Sequence, residues 1–244
     1  MKYGLSYSFN ALFASPCVLC GCTGQGVLCD ACRKSVSKPE YCCQICGQAI
    51  TGASLTLRCS QCLAKPPAYE HLFYVGNYDD RLSALIIRAK VARRLAAILA
   101  LQILIRDFAE KYPDWGNDFA DYHLLAMPSP RSRLMQRGFN LPWLLAKTLS
   151  QCFGLPIVPQ NRVTLPFWVK KQAKLNYRQR QKNQHRYIIH RQLSAPLPQK
   201  VVIVDDIVTT GTTVNQLSQQ LRQENIANIA VWAMARVNDS CQNY

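Results

Sequence analysis

The chain has 244 residues, 49% of them hydrophobic and 18% charged, a balance that excludes a disordered or fibrous polymer and suits one sizeable core or a small domain beside a medium one. Its formal net charge is +15, and the excess has one source: Tyr122 to Val204 holds 14 Lys and Arg and no Asp or Glu, against 15 basic and 14 acidic residues elsewhere. Such a one-signed field points to a polyanion, nucleic acid or a phosphorylated small molecule, with a surface that merely aids solubility as the plainer alternative.

The first seventeen residues carry one lysine and no sustained apolar run, so no secretory signal is expected and the location reads as cytoplasmic. Cysteines follow in a regular pattern: Cys17-x-x-Cys20, Cys29-x-x-Cys32, Cys43-x-x-Cys46 and Cys59-x-x-Cys62. Eight thiolates in four knuckles are the ligands of two tetrahedral sites, and in a cytosolic chain this spacing favours zinc over disulfides or an iron–sulfur cluster. Sequential pairing, Cys17/Cys20 with Cys29/Cys32 and Cys43/Cys46 with Cys59/Cys62, keeps the loops short; interleaved pairing is the alternative. Cys22 and Cys42 are spare thiols, either of which could replace a neighbour. Zinc here is structural, supplying folding energy that so small a segment lacks.

Lys65-Pro66-Pro67 reads as a linker. A strand is expected over Phe73 to Tyr78, then one long helical stretch from about Asp79 to Tyr112, with Leu82, Leu85, Ile86 and Ala89 at helical spacing. Its most apolar window, Leu95 to Ile105, is eleven residues long, too short to span a bilayer. Further along come a strand at Leu124 to Met127, a helix from about Asn140 to Cys152, and short strands near Ile157 and Val163. The basic stretch Lys170 to Gln184 is compatible with helix. A strand over Val201 to Val204, a helix over Thr212 to Gln223 and a strand over Ile229 to Ala235 complete the order. Strands alternating with helices predict an α/β fold with a mostly parallel sheet flanked by helices.

Val201 to Thr213, VVIVDDIVTTGTT, joins an apolar strand to two acids and a threonine loop. Such a corner is where an open parallel sheet binds ligands. Gly211 permits close backbone approach, Thr209, Thr210, Thr212 and Thr213 offer hydroxyls, and the helix that follows directs unpaired N–H groups at an anion. Asp205 and Asp206 would repel a phosphate placed on them, but one sugar away they can accept from two neighbouring hydroxyls. The combination suits a ribose 5-phosphate.

The same thirteen residues resemble the phosphoribosyl pyrophosphate signature of type I phosphoribosyltransferases. Met127-Pro128-Ser129-Pro130 with Arg133, then Arg137-Gly138-Phe139-Asn140 and Leu144-Leu145-Ala146, then Gln172-x-x-Leu175 with Arg180 and Asn183, are similar to elements of the ComF/GntX family, and with the knuckles the resemblance covers nearly the whole chain. One departure stands out: where the family often has K-Y-x-G, Lys90 is followed by Val91-Ala92-Arg93, which weakens any role carried onto that lysine.

The resemblance implies a double zinc-ribbon module at 1–66 and a phosphoribosyltransferase-like domain at 67–244. It also implies Mg²⁺ bound with phosphoribosyl pyrophosphate, a part in DNA uptake and use, and partners among DNA-processing proteins. Arg137 is a candidate for the anion site, since a guanidinium fork suits phosphate oxygens. Lys170, Lys171, Lys174, Arg178, Arg180 and Lys182, interleaved with Tyr177 and Tyr187, suit single-stranded nucleic acid, whose backbone follows cations while its bases stack on aromatics. The same run also reads as a lid over the phosphate site or as a solvated helix face. Three activities fit this sequence: a nucleic-acid-handling protein that binds the phosphosugar, an active phosphoribosyltransferase on an unidentified acceptor, and a non-catalytic phosphoribosyl pyrophosphate sensor.

Overall fold

The structure, a computed structural model, describes residues 15–24, 26–38, 41–50, 57–91, 94–166, 187–191 and 196–238. In chain order the elements are α1 (Asp30–Lys34), α2 (Ser60–Ala64), β1 (His71–Asn77), α3 (Asp80–Lys90), α4 (Leu95–Lys111), α5 (Trp115–Asp118), β2 (His123–Ala126), α6 (Arg131–Arg137) and α7 (Leu141–Phe153). After them come β3 (Val163–Thr164), β4 (Ile188–Ile189), β5 (Lys200–Val208), α8 (Thr212–Gln223) and β6 (Asn228–Arg236).

Four strands pair in the order β1-β6-β5-β2, every pair parallel, and β3 and β4 form a separate antiparallel pair. A parallel sheet covered on both faces needs apolar residues on both, which is why β5 and β6 read as continuous apolar runs. Val202 and Val204 of β5 and Ala230, Trp232 and Met234 of β6 face one cluster, shared with α3, α4 and α7. Val201 and Ile203 with Ile229, Val231 and Ala233 face the other, where α8 lays down Val214, Leu217 and Leu221.

The helical stretch expected over Asp79 to Tyr112 is two helices rather than one. Asp79 caps α3, its side chain accepting from the amides of Arg81 and Leu82; Val91 caps its other end, and Arg94, with extended backbone, precedes α4. A straight helix of that length would be about 50 Å long, far beyond strands of four to nine residues. Folded back, both halves bury their apolar stripes in one core: Leu82, Leu85, Ile86 and Ala89 with Ala97, Leu101, Leu104, Ile105 and Phe108. Full burial of each large side chain contributes roughly 1.5–3 kcal/mol, so the break gains more contact than a continuous helix could.

The cysteine-rich segment covers the outer edge of β1. Cys17, Leu28, Cys29 and Cys32 join the cluster on the α3–α4 face, while Cys42 and Ile45 pack on the α8 face. Between the two halves the chain passes β1 itself: Asn77 donates its amide to Ser37 at 2.8 Å, and Leu72 to Gln44 at 3.4 Å. Gly76 has no side chain for this reason, since a Cβ there would stand 2.6 Å from Val36. An edge strand covered in this way offers no template for another chain. On the α4 side, Arg33 forms an ion pair with Asp107, and Arg88 donates to the carbonyl of Val18. Among the described residues, no helix is long and apolar enough to cross a membrane.

Candidate functional site

The strand carrying the acids is longer than its apolar run. Pairing with β6 continues through Asp205↔Ala233, Ile207↔Ala235 and Val208↔Arg236, so both aspartates lie within β5 and the loop begins at Thr209. Side chains alternate along a strand, which separates the two neighbours. Asp206 meets Lys90, the last residue of α3, whose Nζ lies 2.7 Å from its Oδ1 in a mostly buried ion pair. Asp205 accepts the amide of Asp206 on its own Oδ1 at 2.8 Å. Burial above all, and then the charge of Asp206, holds the Asp205 carboxyl well above the usual carboxylate range; Lys90 pulls weakly the other way.

Gly211 sits in the left-handed region at φ 76° and forms the N-cap of α8. Its carbonyl accepts from Asn215 at 2.9 Å, starting the helix, while Thr210 and Thr212 join their hydroxyls at 2.8 Å. Thr209, Thr210, Thr212 and Thr213 are all exposed. The result is a solvent-open helix N-terminus beside a half-buried acid pair, a geometry that can take an anion and sugar hydroxyls together.

Arg137 ends α6, which follows β2 and therefore lies beyond the same carboxyl edge of the sheet; among the described residues it has no hydrogen-bond or ion-pair partner. The neighbouring motif residues have structural roles. Gly138 takes φ 82° to end α6, and Asn140, buried, donates to the carbonyl of Met127 at 3.1 Å while its Oδ1 accepts from Ser129 at 2.8 Å. That pins the Met127–Ser129 turn against α7, beside a cavity of about 240 Å³ lined by Pro128, Ser129, Arg131, Asn140 and Thr164. A larger cavity of about 770 Å³ lies elsewhere, between the second knuckle pair and the start of β1, lined by Lys38, Tyr74, Phe108 and Trp115. Lys170, Lys171, Lys174, Arg178, Arg180 and Lys182 fall outside the described residues. Of that region's flank, Tyr187 is buried, its amide donating to Gln220 at 2.9 Å, so it packs in the core and offers no face to a base.

The cysteines converge in two groups whose sulfurs lie within 4.8 Å of one another: Cys17, Cys20, Cys22 and Cys29, and Cys43, Cys46, Cys59 and Cys62. The grouping is sequential. Cys20 and Cys29 stand 3.7 Å apart and Cys46 and Cys59 3.6 Å, close to the roughly 3.8 Å edge of a tetrahedron of sulfurs 2.3 Å from an ion. Burial opposes ionisation of Cys17 and Cys43, but amide hydrogen bonds outweigh it and bring the first down to about 6 and the second to about 7. Thiolates already favoured by the backbone, beside thiols that cannot all ionise together, form a donor set suited to a soft divalent cation.

In the first group Cys22 stands where Cys32 was expected, and Cys32 is close by, its thiol raised by burial and then by the thiols of Cys29, Cys20 and Cys17. Cys17, Cys20 and Cys29 therefore have two candidates for a fourth partner, Cys22 within the group and Cys32 beside it. Cys42 belongs to neither group; its sulfur lies 3.0 Å from the hydroxyl of Tyr74. The sequence gives Lys90 little weight for want of the following glycine, and Arg236 carries no motif at all.

No family model matches the chain. The DNA utilization protein YhgH of Salmonella typhimurium (strain LT2) is 31% identical over 214 residues, covering 86% of this chain and 90% of its own. YhgH of Escherichia coli (strain K12) is 31% identical over 219 residues, 87% and 92% of the two chains. Competence protein F of Haemophilus influenzae is 28% identical over 219 residues, 86% and 90% of the two. Among solved structures, purine phosphoribosyltransferase from Pyrococcus horikoshii Ot3 aligns over 68% of this chain and 87% of its own, at 14% identity and a TM-score of 0.30.

Proposed function

Since this chain belongs to the ComF family, we propose that it serves in the use of DNA, binding phosphoribosyl pyrophosphate or ribose 5-phosphate at the end of β5 and contacting single-stranded nucleic acid through its basic block. The observation that carries this reading is the corner itself: Asp205 and Asp206 near the end of a buried strand, and an open threonine–glycine loop on the N-terminus of α8. Asp206, with one oxygen on Lys90, keeps the other for a sugar hydroxyl; Asp205 serves the neighbouring one. The loop amides and the hydroxyls of Thr209, Thr210, Thr212 and Thr213 take the 5-phosphate. Arg137, on the same edge, faces the pyrophosphate, and Mg²⁺ enters with that group, bringing charge neutralisation. Structural zinc occupies the two cysteine groups, and the protein works in the cytoplasm alongside DNA-uptake and processing proteins.

The test is a titration with Mg²⁺ and phosphoribosyl pyrophosphate, followed by an assay of pyrophosphate release against a panel of bases and DNA. Binding without release fits the proposal; release would make the chain a transferase; no binding would remove the ligand.

For nucleic acid the expected result is affinity for single strands that falls with salt, with a log–log slope of roughly −0.7 per phosphate neutralised. Charge reversal at Lys170, Lys171 and Lys174 together should flatten the slope by roughly 2. Fluorescence anisotropy of a labelled oligonucleotide measures both, and an unchanged slope would take those lysines out of the interface.

A further inference from the structure

The second cysteine group and the threonine loop are joined by one side chain, 190 residues beyond the cysteine it holds. Arg236, the last residue of β6, is 5% exposed. Its Nε donates to the carbonyl of Cys46 at 2.9 Å and one terminal nitrogen to Oε1 of Gln48 at 3.0 Å. The other terminal nitrogen reaches the carbonyl of Val208 at 3.4 Å and those of Thr209 and Val237 at closer range. The fork thus grips the knuckle turn with one side and the root of the loop with the other.

A second contact runs beside it. A Cβ on Gly211 would stand 3.2 Å from the hydroxyl of Tyr69. That phenol is buried in the core cluster against which Ile45, inside the Cys43–Cys46 turn, packs. The loop therefore rests against groups that themselves rest on the second cysteine group. The first group, packed on the α3–α4 face, makes no contact of this kind among the described residues.

In a trans peptide the carbonyl of one residue and the amide of the next point in opposite directions. With the carbonyls of Val208 and Thr209 turned inward to the guanidinium, the N–H groups of Thr209 and Thr210 turn outward. Those are the first two donors of the proposed anion cradle. The Val208 carbonyl also accepts the amide of Val237 at 3.0 Å and stays held, so a released guanidinium would free the Thr209–Thr210 peptide to rotate, and the cradle would lose part of its aim before any residue in it changed.

We propose that Arg236 is a positioning residue that makes the second cysteine group, Cys43, Cys46, Cys59 and Cys62, the anchor of the phosphate loop, so that the loop is set only when that group holds its metal. The proposal gives the two metal groups different duties: both stabilise the chain, and the second also sets the ligand site. Its ligand-binding arm rests on the phosphosugar reading, whereas its loop-ordering arm does not.

The test is hydrogen exchange of the Thr209–Thr213 amides in ligand-free, zinc-loaded protein, joined to titration with Mg²⁺ and phosphoribosyl pyrophosphate. Arg236→Gln is expected to speed exchange at these amides at least tenfold and to weaken ligand affinity at least tenfold, with Arg236→Lys intermediate. Cys43→Ser should reproduce the exchange effect and Cys17→Ser/Cys20→Ser, which leaves the first group three thiols, should not. Should the cysteine variants fail to fold, the rate of zinc release to a chelator supplies the reciprocal measurement. Zinc leaves the second cysteine group faster in Arg236→Gln if the fork holds that turn, and unchanged release overturns the coupling. Unchanged exchange in Arg236→Gln, equal effects of the two cysteine variants, or faster exchange with undiminished affinity would each overturn the proposal. If the wild type binds no phosphoribosyl pyrophosphate while the exchange result holds, the ligand assignment falls and the anchor stands.

Discussion

Saturating Mg²⁺ and phosphoribosyl pyrophosphate are expected to raise the melting temperature of the wild-type chain by roughly 5–10 °C and to leave Asp205→Ala/Asp206→Ala where it was. A ligand at about a hundred times its dissociation constant adds about 2.7 kcal/mol to the folded state. In a chain of this size each kcal/mol moves the midpoint by about 2–4 °C. The ligand-induced shift must be compared, not the starting temperatures, because the two acids act on stability in opposite directions. Loss of Asp206 strands the ammonium of Lys90, 2.7 Å away and mostly buried; breaking such a pair costs about 3–5 kcal/mol.

Asp205 works the other way. Burial, and then its charged neighbour, raise its folded-state pKa. A raised acid contributes stability that is fully present below its unfolded pKa and lost as pH rises through the folded value. Near pH 7 its ionised form therefore weighs against the fold. Asp205→Asn should melt higher than wild type at neutral pH, with the gain fading as pH falls toward the ordinary carboxyl range, while ligand binding weakens. An equal ligand shift in the double alanine variant would place the phosphosugar elsewhere.

Elements whose identity is written in local pattern were legible before the structure. The run Val201 to Val204 could only be a buried strand, and the order strand, acids, glycine loop, helix set the acids and the loop at the carboxyl edge of the sheet. What lay hidden depends on contacts between distant segments. Nothing between Ala89 and Leu95 is a helix breaker of the ordinary kind, with no Pro or Gly there, so the break between α3 and α4 is set by the size of the sheet they cover. The extension of β5 through Asp205 to Val208 is imposed by β6, since two adjacent acids argue against a strand on propensity alone. Lys90 acquires its partner only when α3 crosses the end of β5. Arg236 looks like any terminal arginine until Cys46 and Thr209 are seen on either side of it. Cysteine spacing told the number of cysteine groups and their sequential order, but the choice between Cys22 and Cys32 turns on how one loop folds.

That fifth thiol makes the two cysteine groups unequal, and loss of the proposed metal should show it. Reduced, purified protein is expected to carry two equivalents of zinc, and Cys43→Ser one, because Cys43, Cys46, Cys59 and Cys62 have no substitute: Cys42 is taken up by Tyr74. Cys22→Ser and Cys32→Ser should each keep both equivalents, since either residue completes the set with Cys17, Cys20 and Cys29, and the double variant should keep one. Apparent binding free energies of structural zinc in small peptides are about 10–16 kcal/mol, as large as the whole stability of an ordinary domain at about 5–15 kcal/mol. The effect should not stay local. Cys17, Leu28, Cys29 and Cys32 share a core with Leu82, Leu101 and Trp232, so unravelling the first group uncovers the face on which α3 and α4 are packed. Chelation is therefore expected to lower the main calorimetric transition by 10 °C or more at roughly 2–4 °C per kcal/mol, rather than remove a small separate one. Well under one equivalent of zinc in the reduced wild type would end the assignment of the metal. A main transition indifferent to chelation would show that the α/β core stands without the cysteines that line it.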